Sequence, residues 1–264
     1  DVPTALRVEA EAHQALGDWK EALNTLDEAL KRDPFFSGAY IQKARILNER
    51  GDTIKAMAAA EEAARLEPQS REVQMLFANI QFKTKSYGAA IDTYSDILSL
   101  DPTNAEAFIN RGQSHLRLGR LEKAYFDAVD AIALVPDRPE PYQVKAEAEF
   151  RARQFQNAAS SYATLAEKLR ARDGSALAIA TAYSNRGQAL LNLQRLDAAL
   201  EHLNTAIQIA PQLAVAYRSR GMVYGQKEER EPACSDFRTA LDLGLGSDFE
   251  QEVQEIVDTY CVPQ

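Results

Sequence analysis

Three histidines, His13, His115 and His202, and two cysteines, Cys234 and Cys261, are the side chains of this 264-residue chain best suited to hold a metal or to attack a substrate. Their spacing serves neither purpose. Zinc sites draw on Cys and His ligands in closely spaced pairs, whereas these cysteines stand 27 residues apart and no histidine adjoins them. His13 and His115 are separated by three periods of 34, which marks a shared packing position. No glycine-rich phosphate loop and no serine elbow occur. The carboxylates lie among basic residues on helix-periodic stretches, the pattern of solvated faces. No catalytic, metal or cofactor site is expected, and the chain reads as a non-enzyme. A formal net charge of −9 disfavours nucleic acid as a partner. No apolar run reaches the length that a membrane span requires.

What organises the chain is a period. Prolines recur at Pro34, Pro68, Pro102 and Pro136, each 34 residues after the last. One alanine returns as Ala22, Ala56, Ala90, Ala124, Ala158, Ala199 and Ala233. A small residue keeps step as Ala10, Ala44, Ala78, Gly112, Ala146, Gly187 and Gly221, with a larger one four places before it, from Leu6 and Tyr40 to Tyr183 and Tyr217. Spacings of three and four put each set on one face of a helix. Each unit is therefore a pair of amphipathic helices, too thin to bury a core alone and dependent on stacked neighbours. The units span residues 3–36, 37–70, 71–104, 105–138, 139–179, 180–213 and 214–246, with a capping helix and tail over 247–264.

This pattern resembles the tetratricopeptide repeat (TPR). The first copy supplies Leu6, Ala10, Gly17-Asp18-Trp19, Ala22, Leu26, Ala29 and Pro34. The resemblance covers nearly the whole chain and implies an all-α fold: a single right-handed solenoid of antiparallel helix pairs. It also implies that the first helix of each pair lines a concave groove holding a partner protein. Turn glycines stand at Gly17, Gly51 and Gly119, but Lys85, Arg153, Gln194 and Glu228 take their place elsewhere. A side chain in left-handed backbone is strained, so these four turns are expected to be reshaped. Ile97 and Leu165 replace a second-helix alanine and should ease neighbouring helices apart.

Two places depart from the period. Ala158 and Ala199 are 41 residues apart, seven more than the repeat. One extra turn on each flanking helix absorbs the excess, with Gly174 as helix stop and Ser175 as the next cap. The ends around Leu169 to Ile179 should then stand proud, either as longer packed helices or as a second docking point. In the tail, Ser247 and Glu250 suggest a capping box. Phe249, Val253, Ile256 and Tyr260 form an apolar stripe, with Glu252, Glu255 and Asp258 facing away. Cys234 and Cys261 come within about one helical turn of each other if the last helices run antiparallel. A disulfide there closes a 27-residue loop; the alternative is two reduced, partly buried thiols. The last unit also resembles that of exported bacterial TPR proteins, which carry such a pair. A bridge implies an oxidising, exported or periplasmic setting, and free thiols a cytoplasmic one. The start at Asp1 suggests a mature or trimmed form.

The groove is read from the open side of each first helix. Ile41, Met75, Phe82, Ile109, Leu116, Phe150, Leu191 and Met222 are expected to give it an exposed apolar floor, with Arg45, Asn79 and Gln113 beside them. Glu72, Glu106 and Glu140 form one charged lip, and Lys83, Arg117 and Arg151 the other. Eleven residues, about three turns, separate each acid from its base. These ladders either complement the helix dipole or orient a polar peptide. Relatives that grip chaperone carboxylates use Lys and Asn on successive first helices. Asn79 and Asn110 match that pattern, but Met75 replaces a lysine, and Glu140 and Val144 stand where cations are needed. The groove is therefore expected to prefer an amphipathic helix or an extended apolar segment. Two alternatives stand beside this adaptor. One is an assembly element, weakly self-associating through its ends; the other is the recognition module of a larger protein.

Overall fold

The structure, a computed structural model, describes residues 2–261. Fifteen α-helices occur among them: α1 Val2–Ala15, α2 Trp19–Arg32, α3 Ser37–Glu49, α4 Thr53–Leu66, α5 Arg71–Lys83, α6 Tyr87–Leu100, α7 Ala105–Arg117, α8 Leu121–Leu134, α9 Pro139–Arg151, α10 Phe155–Ala171, α11 Ala176–Asn192, α12 Leu196–Ile209, α13 Ala214–Gln226, α14 Arg230–Asp242 and α15 Ser247–Tyr260. They group into two compact units, residues 1–120 and 121–264, divided inside the fourth repeat. In each unit every helix packs on the next in sequence, and odd-numbered helices are the first of each repeat. No described helix is long and apolar enough to cross a membrane.

Small residues set the spacing inside each pair. Ala10, Ala22, Ala44, Ala56, Ala78, Ala90, Ala146, Ala158, Ala199 and Ala233 have no exposed surface. Larger side chains then fill the core within and between pairs, among them Leu26, Ile46, Ile80, Tyr94 and Leu203. In the sixth and seventh repeats the contact is closer than an alanine allows. A Cβ on Gly187 would lie 2.6 Å from Leu203 Cγ, and one on Gly221 would lie 2.9 Å from Phe237 Cε1.

The four turns without glycine are not reshaped. Lys85, Arg153, Gln194 and Glu228 adopt φ of 62°, 60°, 59° and 61°, the left-handed conformation that Gly17, Gly51 and Gly119 adopt in theirs. The reason is local hydrogen bonding. The residue after each left-handed position donates its N–H to the carbonyl five residues earlier, as Ser86 does to Gln81 (2.8 Å) and Gln154 to Glu149 (2.9 Å). This motif satisfies carbonyls that the helix end leaves open, and that gain outweighs a backbone strain of about 1 kcal/mol. Lys85→Gly is accordingly expected to raise stability by up to about 1 kcal/mol, less what glycine's freer unfolded chain gives back. Urea unfolding checks this, and a lower midpoint would refute it.

The excess residues between the fifth and sixth repeats enter the helices, as the spacing predicts. Helices α10 and α11 each run to 17 residues where other repeats use 13 or 14. Ser175 caps α11, its hydroxyl accepting from the Ala178 N–H at 3.2 Å. The left-handed residue of this turn is Asp173 rather than Gly174. Gly174 is needed for a different reason: a Cβ there would meet the Leu169 carbonyl oxygen at 2.8 Å.

The capping helix α15 buries Val253 completely and seats Ile256 and Val257 against the last repeat. Its start differs from the capping-box expectation, because Ser247 is already helical and Gly246 is the N-cap. Glu252 also departs from the expected outward face. It accepts two hydrogen bonds from the buried Arg218, at 2.7 and 3.0 Å. That guanidinium lies 4.3 Å from the Phe249 ring centroid. Cys234 and Cys261 form a disulfide, with their Cα atoms 5.5 Å apart.

Candidate partner-binding groove

First helices adjoin first helices within each unit: α1 with α3, α3 with α5 and α5 with α7 in one, and α11 with α13 in the other. Their open sides therefore form a shared face in each unit. It differs from the expected greasy floor. Ile109, Leu116 and Leu191 are only 2, 4 and 4% exposed. Ile41, Met75, Phe82, Phe150 and Met222 are half-buried. Ile41 packs with Tyr40 and Phe77 against Val73, Met75 and Phe82 pack around Tyr94, and Met222 bridges the cores of two repeats. Phe150 meets Phe155 and Tyr162 edge to face, with centroids 5.5 and 6.4 Å apart. The physical reason is the alanine spacing. Thin pairs sit so close that these side chains reach the neighbouring repeat and become its seam.

Charged groups are prominent among what this face leaves accessible. Arg45, Lys83, Glu106 and Arg117 are exposed, and Gln113 is half-buried. The ladders are partly engaged within the chain. Arg45 pairs with Glu72 across two repeats. Glu140 meets Arg138 at 3.2 Å, and Arg151 meets Glu147 at 3.6 Å. The two asparagines at clamp-like positions are also occupied. Asn79 Oδ1 accepts from the Tyr94 hydroxyl at 2.6 Å and from Asn110 Nδ2 at 3.0 Å. Burial pushes the Tyr94 phenol far above its ordinary value, so it stays a neutral donor. Val144, at the second clamp position, is 1% exposed.

A cleft opens on this side, in unit 2, where α9, α10 and the lengthened α11 meet. It holds about 320 Å³. Tyr162, Leu165, Leu169, Leu177 and Ala178 make its apolar walls, while Gln143, Glu147, Thr181 and Asn185 supply polar atoms. Leu177 is 50% exposed. Burial, with the charges of Glu147 and Glu149, pushes the Tyr162 phenol well up, so it too is neutral. The spacing of 41 points to this edge, and Leu165 stands out as a replaced alanine, but Gln143, Tyr162 and Asn185 carry no signal in the sequence. They become wall residues because the lengthened α10 and α11 bring them to one edge beside α9. The histidines lie apart from the cleft on α1, α7 and α12, and burial lowers the pKa of His202.

Sequence models of the tetratricopeptide repeat match residues 13–80, 75–139 and 180–213. DnaJ homolog subfamily C member 7 of Homo sapiens is 26% identical over 92% of this chain and 53% of its own length. The Hsp70-Hsp90 organizing protein of Triticum aestivum is 26% identical over 46% of this chain and 22% of its own. The chain thus spans about half the length of the first of these relatives, and less of the second. Among solved structures, a tetratricopeptide repeat protein from Parabacteroides merdae aligns with a TM-score of 0.75 at 16% identity, over 98% of this chain and 99% of that one. Yeast Tom70 aligns with a TM-score of 0.62 at 18% identity, over 91% of this chain and 50% of that one. These likenesses carry the fold: all-α, built of antiparallel helix pairs and resembling tetratricopeptide-repeat solenoids. With its period of 34, its left-handed turns and its small-residue seams, the chain belongs to the tetratricopeptide-repeat family.

Proposed function

We propose that this chain is a non-enzymatic adaptor that binds a segment of another protein along the open faces of its first helices. In this reading an apolar side chain of the partner anchors in the cleft between α9, α10 and α11. The observation that carries it is that cleft, whose apolar walls and polar rim occupy the one place where the repeat is lengthened. The names of several relatives point to chaperone-associated proteins, and that supports a protein as partner. The partner itself is defined here by chemistry. The faces offer mixed charge, and that of unit 2 an apolar socket, so they suit an extended or helical segment with a large apolar anchor among polar residues. A chaperone-type terminal carboxylate is a poor fit, because Asn79 and Asn110 are bonded to each other and Glu140 adds an acid. The disulfide supports placement in an oxidising compartment.

Leu177→Glu tests the socket. Leu177 is half exposed, so the change should leave stability within about 0.5 kcal/mol. Affinity for the isolated natural partner, measured by calorimetry, should fall ~10-fold or more as a charge enters an apolar contact. A folded variant with undiminished affinity would sink this reading.

A further inference from the structure

A second opening in unit 2 lies on the other side of α9. Glu147 faces the cleft just described, while Glu149, two residues on and about 200° around the helix, lines this one. It holds about 510 Å³ between the start of α8 and the end of α9. Its lining includes two carboxylates, Glu122 and Glu149, and two aromatic rings, Tyr125 and Phe126, but no lysine or arginine. The rings stand edge to face at 5.6 Å, and Phe126 is 56% exposed.

Glu149 is the unusual member. It is 3% exposed, and its Oε2 has no hydrogen-bond partner. The other oxygen, Oε1, lies 3.6 Å from Lys145 Nζ. The same place in the other repeats holds His13, Leu47, Gln81, His115, Leu190 and Tyr224, none of them an acid, so packing does not call for a carboxylate there. A buried, half-paired charge is costly to keep unless a ligand completes it. Lys145 indicates what kind. Its ammonium sits near Glu149 and 5.8 Å from the Tyr125 ring centroid, so this acid and ring already accept a cation between them.

We propose that this pocket binds a basic side chain, arginine or lysine, presented by a partner protein. The aliphatic stem lies along Leu121 and Phe126, and the cationic head reaches the unpartnered Oε2 of Glu149 and the carboxylate of Glu122, while Lys145 keeps Oε1 and the Tyr125 ring. The site is separate from the cleft between α9, α10 and α11, so its failure leaves the adaptor reading standing.

The test titrates the full chain with N-acetyl-arginine amide, N-acetyl-lysine amide and the neutral N-acetyl-norleucine amide, following backbone amides by two-dimensional NMR. The arginine and lysine amides should shift Tyr125, Phe126 and Ala148, and the norleucine amide should not. Glu149→Gln keeps the side-chain shape and should weaken binding ~10-fold, the scale of one charge-assisted contact. Should that variant unfold, Phe126→Ala, an exposed ring, should still weaken it measurably. Equal shifts from the norleucine amide, no shifts from either basic amide, or undiminished binding in a folded variant would overturn the proposal.

Discussion

Replacing Cys234 and Cys261 together by serine is expected to free the capping helix from the last repeat, lowering stability there by about 3.5 kcal/mol. That figure is the chain entropy that a 27-residue closed loop removes from the unfolded state. Other links also hold α15. Val253 is buried against the last repeat, Arg218 grips Glu252, and Arg230 and Arg238 donate to the carbonyls of Tyr260 and Cys261. Because repeats depend mainly on nearest neighbours, the loss should be local rather than global. Hydrogen exchange should therefore accelerate across residues 247–260 and in α14, with little change in α9 to α11. Unaltered protection of α15 in the serine variant, or under reducing agent, would show that packing alone secures the cap.

The second large effect is expected at a very close helix contact, Gly187 against Leu203. Gly187→Ala puts a methyl 2.6 Å from Leu203 Cγ, which must move or force the helices apart, at a cost of about 1–3 kcal/mol. Leu203→Ala empties a fully buried site and should cost about 2–5 kcal/mol. Combined, the two changes should cost less than their sum, because the new methyl occupies part of the space the leucine vacates. Additive losses in a denaturant-unfolding double-mutant cycle would mean that the helix pair relaxes instead of clashing.

The period alone was enough to place the helices and their turns. Recurrence of Ala22 and its equivalents, the small residues from Ala10 to Gly221 and the prolines gave the class of fold, because close helix approach demands small side chains wherever it occurs. The extra seven residues likewise foretold longer α10 and α11, since helices absorb insertions only in whole turns. Turn conformation was misjudged. Lys85, Arg153, Gln194 and Glu228 keep the glycine geometry because hydrogen bonds at the helix end outweigh strain that residue type alone suggests.

Exposure was not legible either, and for a related reason. Ile109, Leu116 and Leu191 occupy positions that face outward from a single helix pair, and sequence pattern describes one pair at a time. Whether such a side chain meets solvent or the adjoining repeat depends on how closely pairs stack, which many small seams set together. Tertiary packing thus turned Ile109, Leu116 and Leu191 of the expected apolar floor into core, left the other five half-buried, spent Asn79 and Asn110 on each other and Tyr94, and opened a socket beside Leu177. Chemistry written in local spacing is readable from the chain, whereas surface created between repeats exists only once they stack.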